Sequence, residues 1–406
     1  MISFKLERHE QTFAEEFRFV ANELLRPYAA EADRIADLPE ALLKRPELLT
    51  LSRAFVPEEF GGGWHSLLKP GEIYSIERFA RMRVMACEEG GYGDPALFIS
   101  LPGPGLGYPS LRAQGSLSQQ KRFFEPFVGD ALKWAAFAVT EPGTGSDVAA
   151  LTTTAIKRGD RYVINGKKWF IGNGARADWV VVFATVNAKQ GQFGVRAFVV
   201  ERGTPGFRVA RVLPTMGMKP VQLTELVFED CEISEENLLG GQKQDRRGGG
   251  FQASVHTFNL VRPGIAAVAV GIGRAAVEQV SDLVKQDGAR HSSAHRWREI
   301  EERIKAMNRK LEAARLLCWN AASIADQGAD NTREASMAKA YGAKVGMEVC
   351  VESMELAARA GIQDMSMLER LFRNIKVFNI LEGTGEIQRL TITKSLLRRQ
   401  NGAARN

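Results

Sequence analysis

The segment FAVTEPGTGSD, residues 137–147, joins a short apolar run to a turn that contains an acid, a proline and two glycines. Pro142 has a fixed φ, and Gly143 and Gly145 allow backbone conformations that a side chain would forbid, so peptide N–H groups can approach the oxygens of a ligand. Three hydroxyl residues in the segment can donate or accept hydrogen bonds, which suits a ring with carbonyls and nitrogens. The segment therefore predicts a binding corner for a planar ligand, although an ordinary turn has the same spacing.

The composition is that of an ordinary globular protein. The chain has 406 residues, enough for two or three domains, and 45% of them are hydrophobic. Its apolar runs are too short to cross a bilayer, and its first residues include no apolar signal region. The cysteines are scattered without a CxxC pair, so we predict neither a disulfide framework nor a metal site, and we expect a cytoplasmic location.

The formal net charge of +6 favours an anionic ligand or partner. A phosphorylated cofactor and nucleic acid both meet this condition. The basic segment 394–400 permits contact with nucleic acid, but the end of a solvated helix has the same composition. Nucleic-acid binding is therefore kept as the weaker alternative.

Hydrophobic periodicity divides the chain into three parts. Apolar residues recur at three- and four-residue steps over residues 1–132, which predicts an N-terminal α-helical domain. Residues 133–243 contain short runs rich in Val, Ile and aromatic residues between turn signals, which predicts a central β-sheet domain. These runs are WAAFAVT, RYVINGKKWFI, DWVVVFATV, VRAFVVER and ELVFEDCEI. The helical period returns over residues 244–406 and predicts a C-terminal four-helix bundle. The predicted fold class is α+β.

Two further glycine motifs lie outside the opening segment. The dipeptide Asn165-Gly166, between YVI and KKWFI, predicts a hairpin turn because both residues can take positive φ. The motif GIGRAA, which begins at Gly271, fits the glycine pattern of a dinucleotide-binding turn. No alternation of strands and helices follows it, so we interpret the motif as a helix whose glycines allow close packing.

A second informative segment, RNIKVFNILEGTGEIQR, spans residues 373–389. Glu382 ends its apolar run immediately before Gly383 and a new helical segment. A carboxylate at this junction can stabilise the positive end of a helix dipole, or it can swing on its glycine neighbour into a cleft as a general base. Burial against Phe378, Ile380 and Leu381 is expected to raise the pKa of Glu382.

Together, AVTEPGTGSD, a short VRPG motif at residues 261–264, LEGTGEIQR and the helix, strand, helix order resemble the acyl-CoA dehydrogenase family over nearly the whole chain. The resemblance implies the fold of that family, bound FAD and α,β-desaturation of an acyl thioester. It implies Glu382 as the catalytic base and Arg262 as an arginine that supports the catalytic loop. Some relatives carry the base at the position of Val261, which cannot take a proton.

The resemblance also assigns residues to the two ligands. It implies flavin contacts from Phe137, Val139, Thr140, Gly145, Ser146, Phe170, Ile171, Gly172, Arg290, Thr384 and Glu386. It implies substrate contacts from Ser146, Phe258, Asn259, Arg262, Leu381 and Gly383.

The chain departs from the family at several of these positions. Phe170 and Gly172 stand where the family usually has Trp and Thr, so a hydroxyl near the reactive ring nitrogen is missing. Arg290 lacks the phenylalanine that normally follows it at the neighbouring subunit's FAD. The Gln and paired glycines that hold the adenosine are replaced by Glu355, Ala358 and Arg359, which places an acid near a pyrophosphate unless Arg359 compensates. Three arrangements remain open: compensated FAD binding in a homo-oligomer, a site completed by a different subunit, or loose FAD binding.

The resemblance leaves the reaction and partners partly open. The alternatives on the same scaffold are an enoyl-thioester reductase and a flavin oxygenase or oxidase, and one of another class is a DNA-binding, alkylation-response flavoprotein. Coenzyme A is the expected thioester carrier, and a carrier protein is the alternative. The resemblance implies an electron-transferring flavoprotein as acceptor and a homodimer or homotetramer, with a hetero-oligomer as a further possibility. Leu381 and Asn259 differ from common family residues, so the acyl group is not predicted.

Overall fold

The structure is a computed structural model, which describes residues 6–69, 71–74, 80–241, 249–288 and 294–403. Within these ranges, residues 74, 249–258, 260, 287–288, 294–296 and 399–403 are described by their backbone alone.

The N-terminal part is helical. Asp94 begins one of its helices because its carboxylate accepts from the backbone N–H groups of Ala96 and Leu97, and Pro95 occupies the first turn, where its missing donor costs nothing. A two-stranded ladder, β1 (Trp64–His65) with β2 (Ile73–Tyr74), interrupts the helices. The helices are α1 (Arg8–Phe19), α2 (Ala29–Ile35), α3 (Glu40–Leu43), α4 (Glu47–Ala54), α5 (Ala80–Gly93), α6 (Pro95–Ser100), α7 (Gly107–Gln114) and α8 (Leu117–Phe124).

The central part is a seven-stranded sheet. Its strands are β3 (Ala135–Ala138), β4 (Thr154–Arg158), β5 (Arg161–Ile171), β6 (Trp179–Thr185), β7 (Val195–Glu201), β8 (Phe207–Val212) and β9 (Thr224–Ser234). They are ordered β3-β6-β4-β5-β9-β8, and β7 pairs with β6. Every residue of β6 is buried, as its unbroken apolar run requires. Five of the strands follow the predicted apolar runs, whereas the polar β4 and the exposed edge strand β8 do not.

The predicted hairpin at Asn165-Gly166 is wrong. The two residues lie within β5, which pairs with β9 on both sides of an irregularity between Ile164 and Gly166. Gly166 has φ 149°, and a Cβ there would lie 2.5 Å from the Thr153 Oγ1. The glycine therefore serves a β-bulge and a close approach. The turn between β4 and β5 lies instead between Arg158 and Arg161.

The C-terminal part consists of α9 (Gly249–Leu283), α10 (Ala294–Asp326), α11 (Thr332–Arg359), the short α12 (Ser366–Ile375) and α13 (Gly385–Ala403). The apolar faces of α9, α10, α11 and α12 share one buried cluster with residues from α5, α6 and the loop after β8. The predicted α+β class, with helical ends around a central sheet, is confirmed. The boundaries at 132/133 and 243/244 stay predictions, and the second lies outside the described residues.

The glycine motif at Gly271 is helical, as predicted, and lies within α9. A Cβ on Gly271 would lie 2.0 Å from the carbonyl oxygen of Glu88 in α5. Gly271→Ala is expected to destabilise the protein by about 1–3 kcal/mol, because backbone would have to move to admit the methyl group. Urea unfolding measures the loss. Gly342→Ala, whose Cβ would meet the Ala266 Cβ at 3.1 Å, should lose less, and equal losses would contradict this account.

Candidate active site

The first part of the site is the turn that follows β3. Glu141 and Thr144 exchange backbone hydrogen bonds, with N–O distances of 3.0 and 3.1 Å. The next two residues, Gly145 and Ser146, are exposed. A Cβ on Gly143 or Gly145 would meet no atom within 4 Å, so the turn opens onto free space. This space admits a ligand close to the backbone.

The end of β5 lies beside this turn. The backbone N–H of Trp169 donates to the carbonyl oxygen of Thr140 at 2.8 Å, which joins the ends of β3 and β5. Phe170 has φ 57°, and 55% of the residue is exposed, whereas Ile171 is buried. An exposed aromatic ring on a sheet next to an open glycine turn fits a planar ligand such as a flavin. Gly172 lies against Val221, because a Cβ would approach the Val221 Cγ1 to 3.1 Å.

A buried ion pair underlies the turn, and neither partner was predicted from the sequence. The Lys168 Nζ lies 2.8 Å from the Glu141 Oε1, and the two side chains are 0% and 2% exposed. The carboxylate also accepts from the backbone N–H groups of Thr152 and Thr153, at 2.6 and 2.9 Å. Burial alone would raise the pKa of Glu141, but the charge and hydrogen bond of Lys168, with the threonine donors, outweigh burial and lower that pKa to about 2.

The second part of the site is the turn between α12 and α13. Glu382 has φ 55° and Gly383 has φ 89°, so two successive residues are left-handed. A non-glycine residue in this region costs on the order of 1–3 kcal/mol and persists only where its surroundings impose it. A Cβ on Gly383 would lie 2.8 Å from the Gln388 Nε2. The Oγ1 of Thr384 accepts from the backbone N–H of Ile387 at 3.4 Å and caps α13.

Three side chains, one from each of three helices, donate hydrogen bonds to the main-chain carbonyls of the two left-handed residues, Glu382 and Gly383. The Gln388 amide of α13 donates to the carbonyl oxygens of Glu382 and Gly383, at 3.1 and 3.0 Å. The Lys339 Nζ of α11 donates to the Gly383 carbonyl at 2.7 Å. The Arg262 Nε of α9 lies 3.4 Å from the Glu382 carbonyl oxygen. The strained turn is thus held by contacts outside its own segment.

Arg262 is itself oriented by Asn259. The Arg262 Nη1 donates to the Asn259 Oδ1 at 2.8 Å, and the Asn259 amide donates to the Thr332 Oγ1 at 2.7 Å. Pro263 lies inside α9 and has no N–H for the carbonyl four residues earlier, which is that of Asn259. The Asn331 amide donates to this carbonyl at 3.3 Å instead. Asn259, predicted to contact substrate, is therefore buried and bonded to protein groups.

The Glu382 carboxyl is largely removed from solvent, and the charges of Arg262 and Lys339 act on it. Its Oε2 is buried and has no hydrogen-bond partner in the described structure. Burial raises the pKa of Glu382, and the positive charges of Arg262 and Lys339 act in the opposite direction. The predicted direction of the pKa shift is confirmed. Of the three apolar residues expected to bury it, Phe378 is fully buried and Leu381 is half-buried, whereas Ile380 is 55% exposed.

The two parts of the site are linked through the loop after β8. The backbone N–H of Met218 donates to the Asn374 Oδ1 in α12 at 2.6 Å, and α12 leads directly to the turn at Glu382. A Cβ on Gly217 would lie 2.4 Å from the carbonyl group of Arg373. The sheet and the terminal helices therefore touch at backbone distance beside the site.

The remaining predicted residues lie as follows. Phe137 and Val139 are half-buried at the edge of an apolar cluster, and Glu386 is exposed at the start of α13. Arg290 lies outside the described residues, and the side chain of Phe258 is not described. Glu355 is exposed, and its Oε2 lies 3.4 Å from the Arg303 Nη2.

Both parts of the candidate site lie in stretches that match known protein families. Residues 136–231 match the acyl-CoA dehydrogenase middle domain, and residues 248–397 match the acyl-CoA dehydrogenase C-terminal domain. The protein is therefore an oxidoreductase that uses FAD, in agreement with the open turn and the exposed ring of Phe170.

Individual relatives agree over most of the chain. An acyl-CoA dehydrogenase of Bacillus subtilis is 34% identical over 94% of this chain and 96% of the relative. A 3-(aryl)acrylate reductase of Clostridium sporogenes is 30% identical over 97% of this chain and 100% of the relative. The solved butyryl-CoA dehydrogenase of Megasphaera elsdenii has a TM-score of 0.84 and 31% identity, with 98% and 100% of the two chains covered. The chain belongs to the acyl-CoA dehydrogenase family.

Within the described ranges, no helix is both long enough and apolar enough to cross a membrane.

Proposed function

We propose that this protein desaturates an acyl thioester between Cα and Cβ, with Glu382 as the general base. A thioester α hydrogen is weakly acidic and a β hydrogen is not, so the reaction needs a base and a hydride acceptor on opposite faces of the substrate. Bound FAD supplies the hydride acceptor. The observation that carries the proposal is the Glu382 carboxyl, whose Oε2 is buried without a protein partner and whose pKa is raised.

In this proposal the Glu382 carboxylate takes the α proton, the Cβ–H electron pair leaves as hydride, and a double bond forms between the two carbons. Arg262 and the amide of Gln388 hold the backbone of Glu382 in place, because both donate to its carbonyl oxygen. A base that is already oriented accelerates the reaction, because the entropy cost of orienting it does not add to the barrier. The backbone N–H of Glu382 is the proposed protein donor to the thioester oxygen.

The proposed ligand contacts follow the two parts of the site. FAD is held by the residues of the open turn and of the end of β5, with further contacts at the start of α13. These proposed FAD contacts are Phe137, Val139, Thr140, Gly145, Ser146, Phe170, Ile171, Gly172, Arg290, Thr384 and Glu386. The proposed substrate contacts are Ser146, Phe258, Asn259, Arg262, Leu381 and Gly383, and Asn259 also orients Arg262.

Anaerobic bleaching of bound FAD tests the proposal. Purified protein is mixed with a panel of acyl thioesters, each carried once by coenzyme A and once by a carrier protein, and the flavin absorbance is followed without oxygen. Bleaching with at least one saturated thioester, together with formation of the matching enoyl product, is the expected result. A fully FAD-loaded protein that none of the thioesters bleaches would contradict the proposal.

A reductase is the second candidate, because the similar protein of Clostridium sporogenes is a 3-(aryl)acrylate reductase. The same residues serve in the reverse direction, with the Glu382 carboxyl returning a proton to Cα. The two directions are separated by offering the photoreduced protein enoyl and arylacryloyl thioesters. Faster reoxidation by these than bleaching by any saturated thioester would assign the reductase. The oxidase and nucleic-acid alternatives remain without a described feature that favours them.

Acid is expected to suppress the reaction at a higher pH than an ordinary glutamate would allow. Burial raises the pKa of Glu382, so the carboxylate is protonated, and inactive as a base, at pH values where an exposed glutamate of pKa about 4.3 is still ionised. The pH profile of kcat/KM should show an acidic limb above that value. A limb centred at the ordinary glutamate value would show that burial does not control this group.

The partners follow from the same proposal. An electron-transferring flavoprotein is the proposed acceptor, the assembly is a homodimer or homotetramer, and the location is cytoplasmic. The replaced adenosine contacts at Glu355, Ala358 and Arg359 make FAD stoichiometry informative. One FAD per chain in protein expressed alone would exclude a site that needs a different subunit.

A further inference from the structure

Lys339 is a fully buried lysine in α11, beside the turn that carries Glu382. Its relative exposure is 0%, and its Nζ donates to the Gly383 carbonyl at 2.7 Å. Among the described residues, no carboxylate lies within 4.0 Å of this ammonium. Burial of an ammonium without a close counter-ion costs free energy. A lysine at this position therefore calls for a functional explanation.

The charges that act on Lys339 belong to the same site. Burial lowers the pKa of Lys339 to about 8, with Glu382 and Glu386 of the turn and α13 raising it and Arg262 of α9 lowering it. The effect is mutual, since Lys339 and Arg262 are the cations that lower the pKa of Glu382 against burial. At neutral pH the ammonium form therefore predominates next to the candidate base.

Gln388 allows the hydrogen bond made by Lys339 to be distinguished from the effect of its charge. Its Nε2 donates to the same Gly383 carbonyl as Lys339, at 3.0 Å, and it too is fully buried. A neutral donor is thus present to hold the turn. What Lys339 adds is a positive charge that acts on Glu382.

We infer that Lys339 is a positioning residue of the reaction, whose ammonium clamps the left-handed turn through the Gly383 carbonyl and favours the ionised form of Glu382. The inference rests on the proposed role of Glu382 as the base. Lys339 touches neither the reacting carbons nor FAD in this account and acts through Glu382 alone. Its contribution is electrostatic as well as geometric, because opposite charges favour ionisation of a buried carboxyl.

The test compares FAD-loaded Lys339→Met and Gln388→Met with the parent protein. The Glu382 carboxyl is titrated in the infrared, with its band assigned by loss in Glu382→Gln, and the pH profile of FAD bleaching is recorded. Lys339→Met should shift the Glu382 titration upward and lower bleaching at neutral pH by about tenfold or more, with partial recovery at alkaline pH. Gln388→Met should lower bleaching equally at all pH values.

Two further variants and one control complete the design. Lys339→Arg keeps the charge, so it should leave the titration of Glu382 close to that of the parent. Lys339→Gln keeps an amide donor without charge and should behave as Lys339→Met if that variant does not fold. Lys344→Met removes an exposed lysine of the same helix, paired with Glu348 at 3.6 Å, and should change nothing.

Each outcome decides the inference. An unshifted Glu382 titration in Lys339→Met or Lys339→Gln would overturn it. If all three Lys339 variants fail to fold while Lys344→Met folds, Lys339 has a purely structural role, and this result would also overturn the inference. The infrared titration does not depend on turnover, so a parent protein that desaturates no thioester would refute the proposed function while the coupling of Lys339 to Glu382 is still read.

Discussion

Glu382→Gln is expected to retain FAD and lose turnover by about 10²- to 10⁴-fold, the usual contribution of a general base. Glutamine has nearly the same shape as glutamate but cannot accept the α proton. The turn should keep its geometry, because its protein donors contact the main-chain carbonyls of Glu382 and Gly383 rather than the carboxyl. Flavin stoichiometry from released FAD and single-turnover bleaching measure the two effects separately.

Glu302→Gln provides the matched control for this substitution. Glu302 is 65% exposed in α10, where it pairs with Lys305, and it lies outside the candidate site. The control should bleach like the parent protein. Turnover retained by Glu382→Gln would refute the assignment of the base, whereas loss of FAD together with turnover would show that Glu382 mainly supports the cofactor site.

Lys168→Met is expected to destabilise the protein by about 3–5 kcal/mol, the cost of leaving a buried charge without its partner. Methionine fills similar space, but the Glu141 carboxylate would lose its only cation within 4.0 Å among the described residues. The pair lies directly beneath the open turn, so FAD affinity should fall with stability. Urea unfolding and FAD release during dialysis measure both effects.

Two comparisons isolate the ion pair. Lys157→Met removes a lysine that is 39% exposed and paired with Glu235 at 2.9 Å on the sheet surface, and it should cost less than about 1 kcal/mol. The double variant Glu141→Gln with Lys168→Met should recover part of the loss, since no unpaired charge remains. A Lys168→Met protein as stable as Lys157→Met would show that the buried pair contributes nothing.

The ion pair also predicts a dependence on acid. The folded pKa of Glu141 is lowered to about 2, whereas the unfolded value is about 4.3, so its stabilisation is complete above the unfolded value and is lost as the pH falls towards 2. The parent protein should lose more stability over this window than the double variant. Equal acid sensitivity would mean that other carboxylates dominate the loss.

The sequence predicted the layers of the fold but not all local pairings. The apolar runs of β3, β5, β6, β7 and β9 were recognised because buried strands need continuous apolar residues. Gly271 was recognised as helical from its context. Asn165-Gly166 was misread because a bulge and a hairpin both need a glycine with positive φ, and only the continued pairing with β9 distinguishes them.

The polar side chains that support the site were the part least predictable from the sequence. Glu382 and Arg262 were recognised from their motifs, whereas Lys168, Lys339 and Gln388 were not. Lys168 and Lys339 find their partners through tertiary contact, 27 and 44 residues away along the chain, and such separations have no local signature. Gln388 bonds instead to carbonyls five and six residues before it. A lysine inside the apolar, small-residue face of α11 was the available signal, because a buried lysine needs a partner.

The turn at Glu382 is shaped by three helices of the C-terminal part, because its main-chain oxygens accept hydrogen bonds from side chains of α9, α11 and α13. A nascent polypeptide that has completed only its sheet therefore lacks the donors that impose this left-handed turn. The base proposed at Glu382 would reach its working conformation only after the terminal helices have closed around it.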